Sequence, residues 1–349
     1  MCHRSRAILS LAFWATLSPG ALAQENGILE GAGAVYADPF KTSLMESTSL
    51  VGNYRLWPES DGTTTSVSAG YSWKRHNFHD TTPIYNVTHE KTATLTEHYY
   101  NLGLDQGVGV GRIVGASLGR SDSPMGQGRW ASLRVSEWWL KETLQTALEA
   151  RWNETKQPIM STQNFIGQTV ITPEELHGKN LSLTVTNMTT PETITRGRVS
   201  LTERSDRPLA WSATGEVRQY ITMTRSAAHL SYTHYDNTGT VRRVSAYGEV
   251  TANTFKGEWH QRVAEQAILM GGYRWSKEVD DYSALGLPAI TTGSDTLYGS
   301  LRWRFNSDLW TDDAPEAQLF GTWYRFNDDQ LNLKARYATT YGAGIRWGW

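Results

Sequence analysis

Tyr341-Gly342-Ala343-Gly344-Ile345-Arg346-Trp347-Gly348-Trp349 is the stretch that decides the fold. Tyr341, Ala343, Ile345, Trp347 and Trp349 occupy every second position, and Gly342, Gly344, Arg346 and Gly348 occupy the positions between. Successive side chains of a strand point to opposite faces, so strict alternation of this kind describes a strand. One face is wholly apolar and the other is glycine with one charge, so the two faces meet different solvents. A soluble sandwich also buries one face of each strand. It has little use for a strand that finishes on Trp-Gly-Trp.

The pattern recurs along the chain. Leu297, Gly299, Leu301, Trp303 and Phe305 face opposite to Tyr298, Ser300, Arg302 and Arg304. Val67, Ala69, Tyr71 and Trp73 oppose Ser66, Ser68, Gly70, Ser72 and Lys74. Leu209, Trp211, Ala213, Gly215 and Val217 oppose Ser212, Thr214, Glu216 and Arg218. Turn residues at 58–62, 105–107, 121–128, 190–192, 205–208 and 236–239 separate such runs as hairpin connections. Longer polar stretches at 76–92, 155–178 and 277–293 read as loops on the outside of the cell.

The C-terminal stretch resembles the assembly signal of bacterial outer-membrane β-barrels, an alternating apolar strand closed by an aromatic. The resemblance covers about a dozen residues and implies a class. It assigns Tyr341, Ile345, Trp347 and Trp349 to recognition by the barrel-assembly machinery. It implies an all-β fold, a single transmembrane antiparallel β-barrel, and counting the alternating segments gives it about 16 strands, within a range of 14–18. Sixteen strands put the 155–178 stretch on the same side as the termini. Counting 30–37 and 164–171 as strands moves it across and gives eighteen.

Residues 1–23 read as a secretory signal peptide. Arg4 and Arg6 form its charged region, residues 7–17 its apolar core, and Ala21-Leu22-Ala23 its cleavage site. Its removal takes away Cys2, the only cysteine, so disulfides play no part in the mature fold. Residues 24–40 then form an N-terminal segment, a first strand or a plug in the lumen, and 41–349 form the barrel. After the signal no apolar run is long enough for a membrane helix. The 15 Trp and 16 Tyr against 8 Phe suit a membrane–water boundary, where an apolar body needs a polar tip. A formal net charge of −2 is not the balance of a nucleic-acid-binding protein.

If the apolar faces meet lipid, the opposite faces line the lumen. That row holds Arg55, Arg134, Arg151, Arg196, Arg198, Arg218, Arg243, Arg262, Arg274, Arg302, Arg304, Arg325 and Arg346. Its acids are Glu149, Glu216, Glu249, Glu258 and Glu278. An excess of fixed positive charge around water concentrates anions. A guanidinium also presents a planar fork suited to carboxylate and phosphate.

Several motifs carry chemistry elsewhere. Gly115-Ala116-Ser117-Leu118-Gly119 has nucleophile-elbow spacing, but that motif needs a strand-to-helix turn and this one sits in a strand. Gly107, Gly109 and Gly111 lack the helix of a dinucleotide loop. His76, His79 and His89 share one polar stretch without ligand spacing, and the Asp280-Asp281, Asp312-Asp313 and Asp328-Asp329 pairs match no calcium loop. No catalytic residue, cofactor or metal site is assigned. The expectation is a channel in the bacterial outer membrane for small hydrophilic solutes with mild anion preference, not an enzyme. An export or envelope-assembly barrel and an outer-membrane hydrolase are the competing readings. The expected partners are membrane lipid, lipopolysaccharide and the assembly machinery, with no nucleic acid; a homo-oligomer is compatible.

Replacing Trp347 and Trp349 with Asp is expected to deplete inserted protein in cells while leaving refolding in detergent intact, since carboxylates near the interface cost the fold only about 0–1 kcal/mol. Immunoblots of outer-membrane fractions, set against refolding yields, check this.

Overall fold

A computed structural model describes residues 23–37, 41–56, 64–84, 87–123, 126–140, 143–162, 169–205, 207–237, 249–281, 288–305, 315–328 and 333–348. Residues 1–22 of the expected signal peptide and Trp349 lie outside these residues, whereas Ala23, its expected last residue, belongs to the first strand. The strands are β1 (Ala23–Ala37), β2 (Lys41–Leu56), β3 (Thr65–Ile84), β4 (Val87–Gly109), β5 (Arg112–Ser123), β6 (Gly126–Trp139), β7 (Leu144–Thr162) and β8 (Thr169–Thr190). They continue as β9 (Thr193–Arg204), β10 (Arg207–Ile221), β11 (Ser226–Asn237), β12 (Glu249–Arg262), β13 (Ala267–Asp281), β14 (Ile290–Arg304), β15 (Glu316–Asp328) and β16 (Leu333–Gly348). Each pairs antiparallel with its sequence neighbours, and β1 pairs with β16 to close a 16-strand barrel. The register of closure runs from Ile28 opposite Gly348 to Ala37 opposite Thr339. The segment 24–40 therefore contributes a wall strand.

With an even number of antiparallel strands, Ala23 and Gly348 lie at one rim, here the near rim. Several of its described connections are tight. Gly109 and Gly111 turn β4 into β5 with φ of 146° and 74°, a region where side chains are strained. The chain continues as β4 through 105–107, where a turn was expected, because the turn is built by these glycines further on. Leu140 and Arg225 take positive φ in two other near-rim turns.

The far rim is uneven. The polar stretches 76–92 and 155–178, expected as loops, are largely strand. β3 and β4 pair as far as Ile84 opposite Val87, whereas β4 meets β5 only from His98. β7 and β8 pair as far as Thr162 opposite Thr169, whereas β8 meets β9 only from Gly178. Two long hairpins thus rise above the short β5–β6 hairpin between them. Both stand at the far rim, and β1 in the wall removes the need for eighteen strands.

The register fixes which side chains face inward, because paired residues share a face. Leu133, Val135, Leu148, Leu183, Val199, Leu201, Val217, Leu230, Leu269, Leu301 and Leu319 share one face and are exposed, Leu133 to 65 %. The other face carries Ser136, Ser182, Ser200 and Ser300, all buried by the concave wall, with Ser182 at 2 %. Leaving one large apolar side chain in water rather than burying it costs about 1.5–3 kcal/mol, so this outer surface belongs against lipid. Trp152, Trp211, Tyr232 and Trp275 on the far side, and Trp139, Trp259, Trp303 and Trp347 on the near side, flank the aliphatic band as two aromatic girdles.

Strands about 4.8 Å apart and tilted by about 40° close sixteen strands at a backbone diameter of about 30 Å, too wide to fill with side chains. Three large inner side chains also lie against glycines of the wall. Trp130 lies over Gly119, Tyr298 over Gly272 and Phe320 over Gly342, each ring occupying the place of the glycine's missing side chain. At Gly342 a side chain would strike the Phe320 ring and the Gly33 carbonyl of the closing strand, while Gly33 itself has open space. Gly342→Val should therefore destabilise the barrel by about 1–3 kcal/mol through overpacking at the closing pair, and Gly33→Ala by much less. Urea midpoints of the heat-modifiable folded form measure the difference.

Candidate solute-binding lumen

The inner face alternates with the lipid face on every strand, and its charges form three groups. The first lies by the closing strands. Arg304 Nε is 3.3 Å from Glu316 Oε2, and Arg346 Nε is 3.2 Å from Glu30 Oε1. Glu316 stands opposite Arg346 in register, so the four charges alternate across β14, β15, β16 and β1. Glu316 is only 6 % exposed.

The second group lies on β4 to β7. Arg134 Nη2 lies 3.2 Å from Asp105 Oδ1, with Glu149 opposite Arg134 on β7. The Arg151 guanidinium stacks 4.6 Å from the centre of the Trp130 ring, which favours its charge without neutralising it.

The third group spans β9 to β14. Arg196 Nη1 is 3.6 Å from Glu216, and Glu216 is 4.0 Å from His229 Nε2. His229 Nδ1 is 2.8 Å from Glu258 Oε2, and Lys256 Nζ is 2.9 Å from Glu258 Oε1. The two carboxylates are thus held by one arginine, one lysine and the histidine between them. Around them Arg198 donates to the Ser182 hydroxyl at 3.3 Å. Among the described residues Arg198, Arg218, Arg274 and Arg302 have no carboxylate within salt-bridge distance. Arg262 spends its guanidinium on the near-rim turn, donating to the carbonyls of Ala264 and Glu265 at 3.3 and 3.0 Å.

The register thus puts Arg134, Arg151, Arg196, Arg198, Arg218, Arg262, Arg274, Arg302, Arg304, Arg346, Glu216 and Glu258 on the inner face. Arg325 is a correction. It stands opposite Asp295 on the outer face, and Asp295 accepts a hydrogen bond from Tyr273 at 2.5 Å. The cause is that β15 carries aromatics on both faces, Phe320, Tyr324 and Phe326 inside and Trp323 outside, so its polarity does not fix its parity. Glu249 likewise falls on the outer face, opposite Asp281 at the far rim.

Glu30, Glu97, Asp105 and Glu316 are inner acids that sequence reasoning missed. Asp105 alternates with Leu102 and Leu104, a signal hidden by reading 105–107 as a turn. Tyr341, Ile345 and Trp347 point outward on β16 and are exposed. Ser117 lies on the inner face of a regular strand and shares a hydrogen bond of 2.7 Å with the Ser132 hydroxyl, without the turn a nucleophile elbow requires. His76, His79 and His89 fall on β3 and β4, beyond the residues whose side chains are described. The described residues hold no cluster of three or more metal-ligating groups.

The sequence matches no protein-family model and no curated protein. Solved structures do match. A bacterial polysaccharide outer membrane secretin aligns over 95 % of this chain and 99 % of its own, with 10 % identity and a TM-score of 0.54. The outer membrane channel DcaP of Acinetobacter baumannii aligns over 94 % and 97 %, with 10 % identity and a TM-score of 0.51. Pseudomonas aeruginosa OpdQ aligns over 94 % and 98 %, with 9 % identity and a TM-score of 0.50. Fold, lipid face and likeness together define the class. The chain has the closed-barrel fold of bacterial outer-membrane proteins.

Glu316→Ala should remove the Arg304 ion pair and the acid opposite Arg346 in register, and cost on the order of 2 kcal/mol, the scale of hydrogen bonds to charged groups. The double variant with Arg304→Ala should recover part of that loss. A double-mutant cycle on urea unfolding in detergent measures the coupling.

Proposed function

We propose that the protein is an outer-membrane channel passing small hydrophilic solutes, with a mild preference for anions. The observation that carries this is the β9–β14 wall, where Arg198, Arg218, Arg274 and Arg302 face the lumen without carboxylate partners among the described residues. The preference is mild because Arg134, Arg196, Arg304 and Arg346 stand beside acids. Two further features support an open path. A barrel of sixteen strands is wide enough for water, and three inner aromatics, Trp130, Tyr298 and Phe320, lie against glycines of the wall. On the same reading lipopolysaccharide meets the outer face at the far rim, where the exposed Arg120 and Arg129 are register partners.

In planar bilayers under a KCl gradient, discrete conductance steps with a reversal potential toward that of chloride are expected. Changing Arg198, Arg218, Arg274 and Arg302 together to Gln should lower the chloride-to-potassium permeability ratio about twofold or more and leave insertion intact. The preference should fade between 0.1 M and 1 M salt, as the screening length falls from about 10 Å to about 3 Å. Absence of any conductance by the wild type, or cation preference, would count against the proposal.

A further inference from the structure

The near rim carries more apolar surface than turns in water need. Val110 between Gly109 and Gly111, Leu140 after Trp139, Met223 in the short helical turn Thr222–Thr224, Val263 and Phe305 stand at five of its connections. Met223 is 96 % exposed, Val110 79 % and Leu140 73 %, and Val263 and Phe305 are more than half exposed. Hydrogen bonds hold these tips in place. The Leu140 carbonyl accepts from the Thr143 hydroxyl at 2.8 Å, and the Thr222 carbonyl from the Arg225 amide at 3.2 Å. The Val263 and Phe305 amides donate to the carbonyls of Ala267 and Pro315 at 3.0 and 2.9 Å. The turns are thus fixed with their apolar side chains uncovered. A turn in water is ordinarily built from Gly, Pro, Asn, Asp and Ser. The β8–β9 turn keeps to polar chemistry at its tip, with Pro191 and Glu192 exposed.

What covers these tips follows from where they stand. Phe305 continues the outer row of Leu297, Leu301 and Trp303 on β14, and Val263 has the parity of Trp259 on β12. Leu140 directly follows Trp139 of the near girdle. The apolar turns therefore prolong the surface that already meets lipid. They run from the β4–β5 turn to the β14–β15 connection, more than half of the way round the barrel. A globular partner would meet such tips on one side only, whereas a flat layer meets them all. Exposed Arg225 stands two residues from Met223. An arginine at that level can reach phosphate oxygens while its stem stays in apolar surroundings.

We infer that the near-rim turns are sunk in the headgroup layer of the adjoining phospholipid leaflet. Val110, Leu140, Met223, Val263 and Phe305 touch the acyl boundary, and Arg225 meets the phosphates. The near mouth then opens level with the lipid headgroups. This anchoring is independent of what passes through the lumen.

The test uses the folded protein in nanodiscs of phosphatidylethanolamine and phosphatidylglycerol, which leave both faces open to reagents. Chloramine-T, a water-soluble oxidant, converts accessible methionine to the sulfoxide. The chain itself leaves Met223 almost bare, so protection of this residue comes from lipid. Met223 is expected to oxidise about threefold or more slowly in nanodiscs than in the urea-unfolded chain. Mass spectrometry reads it on the tryptic peptide 219–225, which follows Arg218 and ends at Arg225. Nitroxides on Val110→Cys, Leu140→Cys and Phe305→Cys, each in a Cys2→Ser background, give a second readout. Their ratio of collisions with oxygen to collisions with a water-soluble nickel chelate should exceed that of Ser123→Cys at the far rim by about threefold or more. Heat-modifiability on gels reports the folding of each labelled chain, and the oxidation of Met223 needs no substitution. Oxidation of Met223 at the unfolded rate, or turn labels as open to the chelate as the far-rim label, overturns the inference and leaves these tips to a protein partner.

Discussion

Lipid offers no hydrogen bonds, so every peptide group within the membrane must find its partner in the chain. That requirement selects a closed sheet, and one pair of strands has to complete it. Here the pair is β1 with β16, built from Gly31, Gly33, Gly342 and Gly344 together with small alanines. Slim residues let the two strands meet, and the Phe320 ring fills the space that Gly342 leaves inside. Glu30 and Arg346 add an ion pair across the join. The parity of every other strand follows from this closure, because each register is handed on to its neighbour. Which side chains meet water and which meet lipid is settled there.

The interior shows two uses of arginine. Near the join, Arg304 and Arg346 lie among Glu316 and Glu30, and the charges tie strands together. On the β9–β14 wall the carboxylates are engaged by Arg196, His229 and Lys256, which leaves Arg218 and Arg302 with field to spare. The same residue type is scaffold in one place and a source of positive field in another. The difference lies in how many acids the neighbouring strands supply.

Much of this was legible from the sequence. β14 and β16 declared their faces because Leu301, Trp303, Ile345 and Trp347 alternate cleanly with polar or small residues. β15 did not, since aromatics on both faces erase the contrast, and Arg325 was assigned to the wrong side. The long hairpins were misread as loops for a related reason. The stretches 76–92 and 155–178 are polar at odd and even positions alike, and such a strand has no hydrophobic period to detect. The pairing of inner charges was hidden in principle. Glu30 and Arg346 lie at opposite ends of the sequence, and only closure makes them neighbours.

The two tall hairpins have a consequence for how such a protein can change over generations. Adding one residue to a strand inside the membrane would turn every later side chain of that strand to the wrong solvent. Above the band, residues 81–84 with 87–90, and 157–162 with 169–174, pair only with each other among the described residues. Material can be inserted or deleted at those crests as matched rungs without disturbing a single register below. The far rim is therefore the part of the molecule free to diversify in height and sequence, while the wall beneath it is held to a fixed count.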